Sequence, residues 1–231
     1  MSDFPFNMNH PTVEWARLAD WTDGELLHVY AEMQAEQALR EIVARYGAMV
    51  YGVCLRILGD HHEAEDAAQA TLILFCRRAP KLSRATSLPG WLAKTARTTA
   101  LNARRRTLAE RHRDTEAARS KEMSVQDDSA TASEAAAHLD EALGSLPAKY
   151  HDAVVLRYMA GLSAAETAES LGCPRSTATS RVLRGLEKMR KFLGRRGYAP
   201  APAAVAGMFG QTQAAMPAGL AAQIVACCTG K

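Results

Sequence analysis

Aromatic side chains are scarce, with Phe, Trp and Tyr together making 6% of the 231 residues. Strands draw on aromatic and β-branched residues, whereas alanine is plentiful here, so the composition favours helices over sheets. No strand-turn-strand series stands out. The five cysteines, Cys54, Cys76, Cys173, Cys227 and Cys228, form no CxxC pair and no disulfide-like ladder. That excludes a disulfide scaffold and points to a reducing, cytoplasmic compartment. Long apolar runs are missing too, so neither a transmembrane helix nor stable membrane insertion is expected. The opening MSDFPFNMNH is acidic and broken by proline, unlike a secretory signal. Catalytic signatures are equally absent: no HExxH, no GxSxG, no phosphate-binding glycine loop. His61-His62-Glu63 is a weak metal motif, because adjacent histidines at a charged helix start are ordinarily solvated. No enzyme activity, cofactor, metal or small-molecule substrate is therefore expected.

What the chain does have is an apolar fraction of 48%, enough to build a core. Its length allows one large domain or two small ones. The net charge of +3 conceals strong segregation. Between Lys94 and Arg113 seven basic residues face one acid, a net of +6. Between Arg175 and Arg196 eight face one, a net of +7. The stretch from Asp114 to Ala137 between them nets −4. Two basic bodies joined by an acidic tether is the organisation this implies.

Periodicity makes the first body helical. Leu39, Ile42, Val43, Tyr46, Val50, Val53, Cys54 and Ile57 recur at helical spacing from Gln37 to Leu58, and Gly59-Asp60 ends the run. Acidic residues at 63, 65 and 66 open the next helix, as the helix dipole prefers, and Pro80 closes it. Ser87-Leu88-Pro89 opens a third long helix with Leu88, Trp91, Leu92, Thr95, Ala96, Thr99 and Ala103 inward. A shorter helix over Asp23–Met33 is expected to pack beneath. The fold class expected is all-α with two small helical domains. The boundaries expected are an N-terminal extension 1–20, a first domain 21–113, a flexible acidic linker 114–137, a second domain 138–197 and an Ala/Pro/Gly-rich tail 198–231.

The second body carries the most specific signal. In GLSAAETAESLGCPRSTATSRVLRGLEKMR, Ser163 and Glu166 form a capping box, Gly172 ends a short helix, and Pro174 opens another. Two helices about a short glycine-containing turn make a helix-turn-helix. On the second helix Ala178, Val182, Leu186, Met189 and Leu193 form the inner stripe. Ser176, Ser180, Arg184 and Lys191 fall opposite, flanked by Thr177, Thr179, Arg181 and Leu183. Small hydroxyls and arginines on such a helix suit a DNA major groove. The basic run from Lys94 to Arg106, with Trp91, Thr95, Thr98, Thr99 and Asn102 interleaved, suits exposed bases and single-stranded backbone.

Three strings, ILGDHHEAEDAAQATLILF, LPGWLAKTARTTALNARRR and LGSLPAKYHDAVVLRYMAGLSAAETAESLGCPRSTATSRVLRGLEKMR, resemble the two conserved domains of bacterial sigma-70-family sigma factors. The likeness is to the small extracytoplasmic-function (ECF) type. The resemblance implies a factor that binds core RNA polymerase and promoter DNA, and that an anti-sigma factor regulates. It implies polymerase docking through Glu65, Asp66, Gln69 and Leu72. It implies −10 element contacts from Trp91, Lys94, Arg97, Thr98, Asn102, Arg104 and Arg105. It implies −35 contacts from Arg175, Ser176, Thr177, Thr179, Ser180, Arg181, Leu183 and Arg184. Thr98 and Asn102 stand where the family commonly carries Asn and Asp, and the tail has no counterpart in the two-domain form. A stand-alone helix-turn-helix regulator and a protein-interaction scaffold are the rival readings. For the tail the expectations are a disordered Ala-rich appendage or, as the functional alternative, a short helix near Ala218–Cys228 packed on the second domain, with a membrane anchor as the third reading.

Overall fold

Several helix ends of the first body are set by local chemistry. The computed structural model describes residues 15–82, 87–118, 138–198, 202–210 and 215–229. Thr22 and Glu25 form a reciprocal capping box that starts α1 (Asp23–Met33). Helix α2 (Glu36–Leu58) stops at Gly59, whose φ of 75° is costly for any residue with a Cβ. Asp60 then accepts the Glu63 amide at 2.9 Å and caps α3 (His61–Arg78). Pro80 diverts the chain into a 3-10 turn, Ala79–Lys81. Helix α4 (Leu88–Ala118) follows, 31 residues long. At ~1.5 Å per residue it extends about 46 Å. It runs past the expected end of the first domain, because RHRDTEAA consists largely of residues that tolerate helix well. The first few positions of the expected linker are thus helical, and its remainder, 119–137, lies outside the described residues.

Helices α2, α3 and α4 pack together around Leu39, Ile42, Val50, Leu72, Phe75, Leu92 and Ala96, with α1 against α2. In the second body a helix over 138–144 (α5) is followed by α6 (Ala148–Val154) and a π-helical turn, Val155–Met159. The helix-turn-helix is α7 (Ala164–Ser170) and α8 (Arg175–Gly194). The Ser163–Glu166 capping box is formed, and Gly172 takes φ 58° in the turn. Helix α8 crosses α6 at Gly185, where a Cβ would come within 2.6 Å of a Val154 methyl. Every regular element among the described residues is helical.

The two bodies are docked on one another. Arg56 of α2 clasps the Asp140 carboxylate of α5 through Nε and Nη2, with the side chains only 6% and 3% exposed. Arg97 of α4 donates from Nε to the Asp140 carbonyl at 2.9 Å and lies over Gly144.

The tail departs from expectation. Helix α9 (Pro202–Gly210) packs on α8 and the π-helical turn, with the Phe209 ring stacked on Tyr158 at 5.9 Å. Helix α10 (Leu220–Thr229) forms close to its expected place, but it rests on α2 and α3 of the first body rather than on the second. Its apolar residues Leu220, Ile224 and Val225 are buried there. Gly47 on α2 provides the seat for Met216, whose sulfur would stand 2.8 Å from any Cβ at that position. The tail's few strong hydrophobes therefore join the main core instead of remaining a charge-free appendage.

Candidate nucleic-acid interface

The buried stripe of α8 is Ala178, Val182, Gly185, Leu186, Met189 and Leu193. That stripe fixes which residues point away. Arg175, Ser176, Thr179, Leu183 and Arg184 are exposed, while Thr177, Ser180 and Arg181 are half-buried beside them. Arg175, Ser176, Thr179, Ser180, Leu183 and Arg184 line one shallow groove. Leu183 is 61% exposed, a large apolar side chain in the middle of a polar face. A second concavity, about 420 Å³, shares Ser176, Ser180 and Arg184 and adds Thr177, Arg181, Lys149 and Tyr150. Lys149 and Lys188 lie 5.0 and 5.7 Å from the Tyr150 ring centroid, on its cation-attracting π system. Burial pushes the Tyr150 hydroxyl's pKa up, but Arg184 and Lys149 beside it outweigh that and hold it below the ordinary phenol value. Lys149, Tyr150 and Lys188 adjoin this candidate face although the sequence reading did not include them in it. The signal available was the AKY triplet after Pro147, at the N-terminus of the helix that α8 crosses.

The α4 candidates sort by helical angle. Trp91, Lys94, Thr98, Asn102 and Arg105 follow one another at steps of 3, 4, 4 and 3, a single stripe along the helix. Lys94, Thr98, Asn102 and Arg105 are exposed. Trp91 is half-buried, packed edge-on against Phe75 with centroids 6.1 Å apart, so its ring is anchored in the core and presents only part of its surface. Arg104 is half-buried off the stripe. Arg97 points elsewhere, toward Asp140 and Gly144 of the second body. In this docked arrangement it is therefore occupied by protein rather than available to nucleic acid.

On α3, Glu65 is half-buried and Asp66 exposed. Gln69 donates from Nε2 to the Cys227 sulfur at 3.4 Å. Leu72 is fully buried, so the reading of it as a surface contact fails here: it belongs to the core, and its carbonyl accepts from the Cys228 thiol at 4.0 Å. Ala68 and Phe75, about one turn before and after it on α3, are buried with it. His61, of the weak metal motif, is hydrogen-bonded through Nδ1 to the Tyr51 hydroxyl at 2.7 Å. No grouping of three or more metal-type ligands occurs among the described residues.

Comparison with known proteins matches both bodies. The family profile "Sigma-70 region 2" matches residues 42–109, and "Sigma-70, region 4" matches residues 137–189. RNA polymerase sigma factor CarQ of Myxococcus xanthus is 31% identical over 169 residues, 69% of this chain and 91% of that protein. The chain belongs to the sigma-70 family. Its relatives place it with the ECF type. ECF RNA polymerase sigma factor SigW of Bacillus subtilis is 28% identical over 168 residues, covering 68% of this chain and 90% of SigW. ECF RNA polymerase sigma factor SigE of Mycolicibacterium smegmatis is 28% identical over 199 residues, 83% of this chain and 76% of SigE. Among solved structures, the co-crystal structure of the sigma factor RpoE with the anti-sigma factor NepR from Bartonella quintana is 20% identical, covers 67% of this chain and 95% of that one, and has a TM-score of 0.31. As an ECF sigma factor, the protein is a promoter-specificity factor that acts with core RNA polymerase, which removes the stand-alone regulator reading. No described helix is long and apolar enough to cross a membrane.

Proposed function

We propose that this sigma factor reads the −35 element with α8 and the opened −10 element with the outer stripe of α4, while the outward side of α3 docks on core polymerase. The observation that carries the reading is the outer face of α8, where hydroxyls, arginines and one exposed leucine lie opposite a fully buried stripe. A helix ~10–12 Å across fits a major groove ~12 Å wide. Arg184 and Arg175 suit guanine edges or phosphates. Ser176, Thr179 and Ser180 suit bases or phosphate oxygens, and Lys149 and Lys188 suit the flanking backbone.

The −10 contacts assigned are Lys94, Thr98, Asn102 and Arg105, with Trp91 at the end of the stripe. Extruding a base costs a few kcal/mol, and stacking returns about 1–3 kcal/mol per base. Strand opening then draws on binding energy and needs no covalent chemistry, so the protein is assigned no enzymatic activity. Arg97 joins the DNA-binding set only once the bodies separate and Asp140 releases it. Glu65, Asp66 and Gln69 are the polymerase contacts, with Leu72 supporting them from beneath. An anti-sigma factor would act by holding the two bodies away from polymerase.

The test is run-off transcription with reconstituted holoenzyme on a promoter series substituted at −35 and −10, beside gel shifts of the factor without core polymerase. Transcription that depends on both elements and on core polymerase is expected. Transcription indifferent to −35 substitutions would overturn the assignment of α8.

A further inference from the structure

The tail helix brings a thiol from the far end of the sequence onto a thiol of the first body. Cys228 Sγ on α10 lies 2.7 Å from Cys76 Sγ on α3, although the two residues are 152 positions apart. Both cysteines are unbonded and half-buried, so a small oxidant can reach them. A disulfide places its sulfurs ~2.05 Å apart, and the present separation leaves a fraction of an ångström to close. The contact sits on the α3 side where Gln69 meets Cys227 and Leu72 meets Cys228. Closing it would pin α10 over the surface next to Glu65 and Gln69.

We propose that Cys76 and Cys228 form a peroxide-oxidisable dithiol whose disulfide locks the C-terminal helix onto α3 and thereby blocks polymerase docking. The blocking half rests on the docking reading of α3 given above; the dithiol itself does not.

The surroundings suit this chemistry. Cys228 beside it and the Tyr30 hydroxyl favour the Cys76 thiolate and hold its pKa below the ordinary thiol value, against the opposing effect of burial. That tyrosine oxygen is buried without a hydrogen-bond partner among the described residues. Arg77, next in sequence, adds a cation near Cys228. Cys54 is the contrast: it is fully enclosed, burial pushes its pKa up to about 12, and it reads as structural. Reactivity follows thiolate character and access, so Cys76 is the attacking group. Its thiolate displaces hydroxide from hydrogen peroxide, forming an S–O bond as the O–O bond breaks. The Cys228 sulfur then attacks the sulfenic sulfur, the S–S bond forms, and water leaves. Two thiols lose two electrons, and one peroxide is reduced to two waters. In a reducing compartment such a bridge is transient and therefore suited to sensing.

The full-length chain is treated with hydrogen peroxide, blocked with N-ethylmaleimide, digested without reductant and mapped by mass spectrometry. Cys76→Ser, Cys228→Ser and Cys227→Ser variants run alongside. A Cys76–Cys228 linkage is expected in wild type and Cys227→Ser, absent from the other two and removed by dithiothreitol. Capture of oxidised protein by core polymerase is expected to fall on the order of tenfold, to recover with dithiothreitol, and to stay constant in Cys228→Ser. Cys76 ending as sulfinic acid, or pairing with Cys227 instead, would overturn the dithiol. A Cys76–Cys228 bridge that leaves capture unchanged would overturn the docking role of α3 and leave the dithiol standing.

Discussion

Asp140→Ala tests what holds the two bodies together. The carboxylate is 3% exposed and faces an arginine that is 6% exposed. Two of the three guanidinium nitrogens of Arg56 bind it, and the third, Nη1, is buried without a partner. Removing the carboxylate leaves that cation enclosed and largely unsatisfied. Breaking a buried pair from one side costs about 3–5 kcal/mol. At ~1.4 kcal/mol per tenfold, the docked population should fall by roughly two to three and a half orders of magnitude relative to the separated one. Separation is the cheaper response, because it returns Arg56 to water without unfolding either core. The Arg97 contact goes to the Asp140 main-chain carbonyl and survives the substitution, so the change isolates the carboxylate. Small-angle scattering should show a larger radius of gyration in Asp140→Ala, with helical circular dichroism retained. The double variant Arg56→Met/Asp140→Leu replaces the pair by apolar volume and should restore the compact form, since such replacements are commonly neutral or stabilising. A single variant with the wild-type radius of gyration would refute the idea that this pair maintains docking.

Arg184→Ala should weaken promoter use by ~1–3 kcal/mol and relax preference at one −35 position, read from transcription on a substituted promoter set; unchanged preference would show that Arg184 reads no base. Replacing Lys94 and Arg105 by Gln should reduce permanganate reactivity of the opened region and make the log–log salt slope shallower by about 0.7 per lost single-strand contact. Gly185→Ala should destabilise the second domain by about 1–3 kcal/mol through overpacking against Val154, measured by chemical denaturation. Glu166 is hydrogen-bonded to Ser163, which lowers its carboxyl pKa in the folded state. Its stabilising effect is therefore present above the unfolded value of ~4.3 and lost as pH falls through the depressed folded value. Wild type and Glu166→Gln should differ in thermal stability near neutrality and converge in acid.

Much of the helical framework was legible because it is local. Gly59, Asp60, Pro80 and the Ser163–Glu166 box act within one turn of chain, and the stripe from Ala178 to Leu193 repeats often enough to define a face. Contacts between distant segments were not legible. Arg56 and Asp140 lie 84 positions apart, and nothing local distinguishes a buried pair from two solvated charges. Leu72 sits at a position where helical periodicity and family likeness give different answers, and packing decides for the core. The helix at the end of the tail could be read from its apolar cluster, but its docking partner could not. Any exposed apolar face would have served, and the seat at Gly47 is visible only once α2 is folded. The π-helical turn at Val155–Met159 escaped for another reason: one extra residue in a turn barely disturbs a short apolar pattern.

If α8 reads the −35 element as proposed, the exposed Leu183 would give it a sense the polar residues lack. Guanidinium and hydroxyl groups read hydrogen-bonding edges, but a branched alkyl group set among them responds to carbon. In the major groove the carbon on offer is the 5-methyl of thymine. One methyl buried against leucine contributes about 0.8 kcal/mol, enough to separate thymine from deoxyuridine where base pairing is identical. A promoter in which a single −35 thymine is exchanged for deoxyuridine, and another in which a cytosine gains a methyl, would reveal a reader that distinguishes bases by a hydrocarbon group as well as by their polar edges.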